Sequence, residues 1–283
     1  DNDRNIVVLS AMSGTTNSLL EIADYLYKQN LEGAGLCINK LEEKYKAHID
    51  ELYSTDEYKQ KALLTIHAIF ETIRLCAKGV FSEKEEKIIV AQGEMMSTNM
   101  MTYYLLEKGY KVALIPALEY MRTNEDCEPD FKYIQDHLNQ QLALHPDAEI
   151  IITQGFICLN HAGEIDNLKR GGSDYTASLV GGAIEASEIQ IWTDIDGMHN
   201  NDPRFVPNTT PVGHLHFDEA AELAYFGAKI LHPTCILPAK YANVPVKLLN
   251  TMDPTAPGTI ISNMIEHRKI KAVAAKDNIV AIN

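Results

Sequence analysis

The run Glu149-Ile150-Ile151-Ile152-Thr153 has no polar alternation, and that restricts the fold more than any other stretch. A continuous apolar run of this length is the pattern of a strand buried on both faces, as in a parallel sheet flanked by helices. Gln154-Gly155-Phe156 ends it. Residues 158–167 read as a hairpin turning at His161-Ala162-Gly163. Arg170-Gly171-Gly172-Ser173-Asp174 then opens a helix expected over residues 175–186, with Ser173 or Asp174 as its N-cap. Two glycines where a loop enters a helix leave backbone N–H groups bare, and the helix dipole adds partial positive charge. Such a place can hold an anion, with an arginine on one side and an acid on the other; it can also be a tight turn with an ordinary cap.

Other segments repeat the alternation. Residues 5–9, 111–115, 188–192, 246–249 and 258–261 read as strands, with helical patterns between them. The expected fold is α/β: a three-layer α/β/α arrangement with a mainly parallel sheet. Residues 36–91 read as almost wholly helical, with Leu63, Ile66, Phe70, Ile73 and Ala77 at helical spacing. This region is taken as a helical subdomain without chemistry of its own. Further helices are expected after Asp130, over residues 217–226 with Glu219 and Glu222 outward, and from Pro233. Residues 270–283 switch to strand-like alternation.

Ligands bind at the carboxyl ends of strands in such sheets, so the loops there carry the candidate residues. Ser10-Ala11-Met12-Ser13-Gly14-Thr15-Thr16-Asn17 is rich in hydroxyls and precedes a helix expected to be capped by Asn17 or Ser18. Thr193-Asp194-Ile195-Asp196-Gly197 ends another strand, and Asp202-Pro203-Arg204 follows as a turn. Glu94 stands beside Gly93 in an otherwise apolar helical stretch. A charge there needs a partner: a salt bridge, a cap, or the ammonium group of a ligand.

Hydrophobic residues make up 46% of 283, enough for a sizeable core, and the formal net charge of −14 argues against nucleic acid or an anionic membrane as partner. No stretch is apolar enough to span a bilayer. The five cysteines are scattered with no Cys-x-x-Cys pair, which fits a reducing, cytoplasmic setting and points to no metal-ligating set.

Taken together and in order, these motifs closely resemble the aspartokinase family of the amino-acid kinase superfamily. The matching pieces are Val8-Leu9-Ser10-Ala11 with Thr16-Asn17; Gln92-Gly93-Glu94; Met121-Arg122-Thr123-Asn124; Thr153-Gln154-Gly155-Phe156; and the block from Arg170 to Thr176. Trp192-Thr193-Asp194 with Gly197 and Asp202-Pro203-Arg204, Glu219-Ala220-Ala221-Glu222-Leu223, and the block from Phe226 to Pro233 complete the set. The resemblance implies phosphoryl transfer from ATP, with Mg²⁺, to the side-chain carboxylate of L-aspartate, the first step of lysine, threonine and methionine biosynthesis. It implies that Arg170 binds the substrate carboxylate, Glu94 receives its ammonium, and Ser10, Thr16 and Ser173 line the aspartate or phosphate site. Arg170, Ser173 and Asp174 would form the transfer centre, and Gly171, Gly172, Thr193, Asp194, His199, Arg204 and Lys229 would hold the nucleotide. It also implies a homo-oligomeric intact protein under feedback by lysine or threonine.

There are two departures from the family pattern. His199 stands where many members have tyrosine, which affects nucleotide packing. The family's opening strand with Lys-Phe-Gly-Gly does not occur in the chain. Residues 1–266 are therefore expected to be a catalytic domain without that strand, and 267–283 the start of an ACT-type regulatory region, outside the catalytic core. Without the family's lysine, residues 1–283 alone are expected to have little aspartokinase activity. Other readings are a superfamily kinase acting on glutamate, N-acetylglutamate, carbamate or UMP, and a catalytically silent nucleotide-binding module. A dinucleotide-binding dehydrogenase is disfavoured, because no strand runs into a Gly-x-Gly-x-x-Gly turn.

Overall fold

The structure, a computed structural model, describes residues 4–169, 171–201, 206–225, 232–266 and 270–273. The chain divides into two compact units, residues 1–173 and 174–283.

In the first unit, strands β1 (Asn5–Leu9), β2 (Val112–Leu114) and β3 (Ile150–Gln154) form a parallel sheet in the order β1-β3-β2. The isoleucine run is β3, the central strand; Ile151 and Ile152 are fully buried. Asn5 pairs with Ile150 and Leu9 with Gln154, so β1 and β3 end level. Ser10 and Gly155 therefore leave the sheet at the same edge.

Helices α1 (Thr15–Tyr27), α2 (Leu31–Leu52), α3 (Asp56–Cys76) and α4 (Glu83–Glu107) pack around Leu19, Ile22, Ile38, Tyr45, Ile49, Ile66, Phe70, Ile73 and Met96. The acidic start of α4 is a capping box: Ser82 Oγ accepts from Lys84 N, and Glu85 accepts from Ser82 N. Buried Glu42 on α2 pairs with Arg74 on α3 and stitches the two helices together. Helix α5 (Phe131–Ala143) follows Asp130, as expected, and the Asp130 side chain caps it by accepting from Tyr133 N. Strands β4 (Ile157–Leu159) and β5 (Ile165–Asn167) make the expected hairpin.

In the second unit, β6 (Ile189–Thr193), β7 (His214–His216), β8 (Val246–Asn250) and β9 (Thr259–Ser262) form a sheet in the order β6-β8-β9-β7. Its β6–β8 and β7–β9 pairs are parallel, and its β8–β9 pair is antiparallel. Helices α6 (Gly172–Ala183), α7 (Phe217–Tyr225) and α8 (Leu237–Tyr241) belong to this part of the chain, with a core that includes Ile191, Leu215, Phe217, Val246, Leu248 and Ile261. A single 3-10 turn, Pro233–Ile236, precedes α8.

Several expectations are corrected. Helix α1 begins at Thr15 after Gly14, whose φ is 79°, and not behind an Asn17 or Ser18 cap. Helix α6 begins at Gly172, so Ser173 and Asp174 lie in its first turn and are not its cap. Glu219 stays partly outward, its side chain 41% exposed, while it accepts from His216 N and pairs with Lys271 Nζ at 2.8 Å, on a lysine side chain only 6% exposed. That pair bears on the tail. Residues 271–273 pack on the second unit's core through Ala272, and Val273 N donates to Asn200 O at 2.8 Å. Residues 274–283 lie outside the described residues. No helix among the described residues is long and apolar enough to cross a membrane.

Candidate active site

Three chain segments meet beyond the carboxyl ends of β1 and β3. Ser10 Oγ donates to Ser173 Oγ at 2.7 Å, joining the end of β1 to the first turn of α6. Ser97 Oγ on α4 donates to Ser10 O at 2.8 Å, and Ala11 N donates to Glu94 Oε1 at 3.2 Å. Glu94 and Ser97, three residues apart, share one face of α4. Gly93 allows the approach: a Cβ there would lie 2.9 Å from Ala11 Cβ. Thr16 sits half-buried in the first turn of α1, which has no side-chain cap; Thr15 N and Ser18 N there donate to Met12 O and Gly14 O.

Glu94 is 4% exposed, and burial pushes its carboxyl up to about 7, against the partial compensation of the Ala11 N–H. Its Oε2 has no hydrogen-bond partner among the described residues. A buried carboxylate with one oxygen anchored and one unfilled is a receptacle for a cationic group, because an arriving ammonium restores the favourable charge that burial removed.

In the second unit, burial alone pushes Asp174 up to about 6. Cys235, buried nearby, has its thiol pushed up to about 12 by burial and then by the Asp174 charge, so it is not a nucleophile. At the end of β6, Thr193 Oγ1 donates to Asp194 Oδ1 at 3.1 Å. His199 is held at both ring nitrogens, Nε2 to Asp196 Oδ1 at 2.6 Å and Nδ1 to Thr209 Oγ1 at 2.8 Å. Gly171 and Gly172 hold φ of 81° and 49°, a conformation that favours glycine. Arg170, Arg204 and Lys229 lie outside the described residues. Among the described residues no cluster of three or more His, Cys, Asp or Glu side chains could hold a metal ion.

The first unit thus brings Ser10, Glu94 and Ser173 close together. Ser97 was missed, although the three-residue spacing from Glu94 on an apolar helix is a readable signal. The family pattern points to Thr16 and not to its neighbour Thr15, which is the fully buried one, its hydroxyl meeting Tyr45 Oη at 2.9 Å.

Residues 1–250 match the model of the amino acid kinase family. The lysine-sensitive aspartokinase 3 of Escherichia coli is 33% identical over 98% of this chain and 62% of its own length. The chloroplastic aspartokinase 3 of Arabidopsis thaliana is 33% identical over 99% of this chain and 52% of its own length. The crystal structure of E. coli aspartokinase III in complex with aspartate and ADP aligns with a TM-score of 0.78, covering 94% of this chain and 60% of that one. The chain therefore spans between half and two-thirds of the length of these relatives.

Proposed function

We propose that this chain, which belongs to the amino acid kinase family, transfers a phosphoryl group from ATP to the side-chain carboxylate of L-aspartate, giving 4-phospho-L-aspartate. The observation that carries the reading is Glu94: buried, anchored by Ala11 N, and unfilled at Oε2. An α-amino acid supplies the missing cation. The similarity to an aspartokinase solved with aspartate and ADP supports the choice of acceptor and donor.

In this reading Glu94 receives the ammonium and Arg170 forks onto the α-carboxylate. Ser10, Thr16 and Ser173 direct hydroxyl and N–H groups at the reacting end, where phosphoryl transfer needs positioning and charge neutralisation. Asp174 is no base, since the attacking carboxylate is already ionised at neutral pH. The glycine pair Gly171-Gly172, with Thr193, Asp194, Arg204 and Lys229, takes the nucleotide. His199, tied at both nitrogens, offers a base only its ring face and carbon edge. Mg²⁺ would come with the phosphates, since it binds through few protein carboxylates. Asp174, its carboxyl pushed up to about 6 by burial, fits as its protein contact, and the ion would supply charge neutralisation there. For the whole protein, feedback by an end product belongs to the same proposal, "lysine-sensitive" being part of the E. coli relative's name.

The test is ADP release in a coupled assay with ATP and Mg²⁺, offering L-aspartate, L-glutamate, N-acetyl-L-glutamate, carbamate and UMP in turn, with hydroxylamine trapping of the acyl phosphate. Aspartate is expected to bind, and whatever turnover occurs, however slow, is expected with aspartate alone. Turnover with another acceptor, or nucleotide binding without any aspartate binding, contradicts the reading.

A further inference from the structure

Helix α2 belongs to the helical layer in which the sequence pattern showed no chemistry, yet two consecutive residues of it grip the β1–α1 loop. Lys44 Nζ donates to Ser13 O at 3.1 Å from the solvent side. Tyr45, 1% exposed, meets the fully buried Thr15 hydroxyl from the inside at 2.9 Å. The Tyr45 ring is fixed by an edge-on contact with Phe70, their centroids 6.1 Å apart. Thr15 in turn faces α4: a Cβ at Gly93 would lie 3.5 Å from the Thr15 methyl. The loop that Tyr45 holds through Thr15 is the loop whose Ala11 N–H holds Glu94 Oε1.

We infer that Tyr45 is a positioning residue for the acceptor site: through Thr15 it fixes the β1–α1 loop, and through that loop the ammonium-receiving carboxylate of Glu94. The inference rests on the assignment of Glu94 to the ammonium. A buried hydroxyl pair joining two elements rigidifies both, because neither partner has water to fall back on. Burial pushes the Tyr45 phenol up to about 12, so it stays neutral and keeps this bond across the working pH range. Tyr45 also lies within electrostatic reach of Glu94. Around Glu94, α2 presents Tyr45 and the β1–α1 loop presents Ala11 N–H and Thr15. One turn along α4, Thr98 meets the Gln154 amide of β3. None of these groups is charged: burial holds the Glu94 carboxyl up, and the loop contact through Ala11 N–H is what opposes it.

The experiment is calorimetric titration of the full chain with L-aspartate and, separately, with ATP, from pH 6 to pH 9, on wild type, Glu94→Gln, Tyr45→Phe, Thr15→Val and Thr15→Ser. Wild type binds aspartate and Glu94→Gln does not; failure of that pair removes the Glu94 assignment and this inference with it. Given that pair, Tyr45→Phe and Thr15→Val are each expected to weaken aspartate about threefold to tenfold. ATP affinity stays unchanged. Tyr45→Phe combined with Thr15→Val, titrated in the same way, is no worse than either single variant, and Thr15→Ser, which keeps the hydroxyl, behaves as wild type. In both weakened variants the loss of affinity on acidification moves to higher pH, because a loosened Ala11 N–H no longer favours the ionised carboxylate. Wild-type affinity with an unmoved pH limb in Tyr45→Phe and Thr15→Val, or equal weakening of aspartate and ATP, overturns the inference. If Tyr45→Phe does not fold, the Thr15→Val and Thr15→Ser pair decides alone.

Discussion

A carboxyl that titrates near 7 in the fold and near 4.5 outside it binds its proton more tightly in the folded chain. Ligand-free wild type therefore loses stability as pH rises from about 4.5 to about 7, and the loss is complete above that. The total is on the order of 3 kcal/mol. Glu94→Gln has no such dependence, so the difference between the two proteins in urea unfolding is expected to grow in the variant's favour from pH 5 to pH 8. A pH-independent difference would show that Glu94 has a partner in the free protein. Glu94 was legible because a charge beside a glycine in an apolar helix violates the local pattern. Tyr45 was not, since its partner Thr15 is thirty positions away, and a tyrosine at helical spacing reads as ordinary core.

At the scale of elements, the strands that lie in the sheets by apolar content were readable, β3 most clearly. Strand β7, His214-Leu215-His216, was not, because three residues with one apolar side chain become a strand only by pairing with β9. The starts of α1 and α6 were placed too late for a related reason. Glycines and hydroxyl residues are weak helix formers, and tertiary contacts hold them in the first turns: Thr15 to Tyr45, and Ser173 to Ser10. The seam between α4 and the β1–α1 loop depends on Gly93. Gly93→Ala puts a methyl 2.9 Å from Ala11 Cβ and is expected to destabilise the chain by about 1–3 kcal/mol. It also displaces Glu94 from Ala11 N, so a lower urea midpoint should accompany weaker aspartate binding. A variant with lowered stability and untouched aspartate affinity would separate the seam from the site.

For the whole molecule, the sequence showed an α/β chain, and the folding into two units with a sheet in each could not be read from local pattern, because it depends on which strands pair. The same holds for Lys271, whose burial against Glu219 ties residues 271–273 to the second unit. Lys271→Met is expected to lower hydrogen-exchange protection in the second unit by about 1 kcal/mol, a modest figure because Glu219 remains partly solvated. The first unit should keep its protection; equal loss in both units would mean that the pair's effect is not confined to the second. The central claim is that Glu94 receives the acceptor's ammonium. Its most direct measurement is calorimetry of L-aspartate binding at pH 7 in buffers of different ionisation enthalpy. With its carboxyl near 7, free Glu94 is half protonated, and an arriving ammonium drives it to the ionised form. The account predicts release of about half a proton per aspartate bound, and loss of binding in Glu94→Gln with ATP affinity retained. Aspartate binding with no proton release, equally tight in Glu94→Gln, would contradict it.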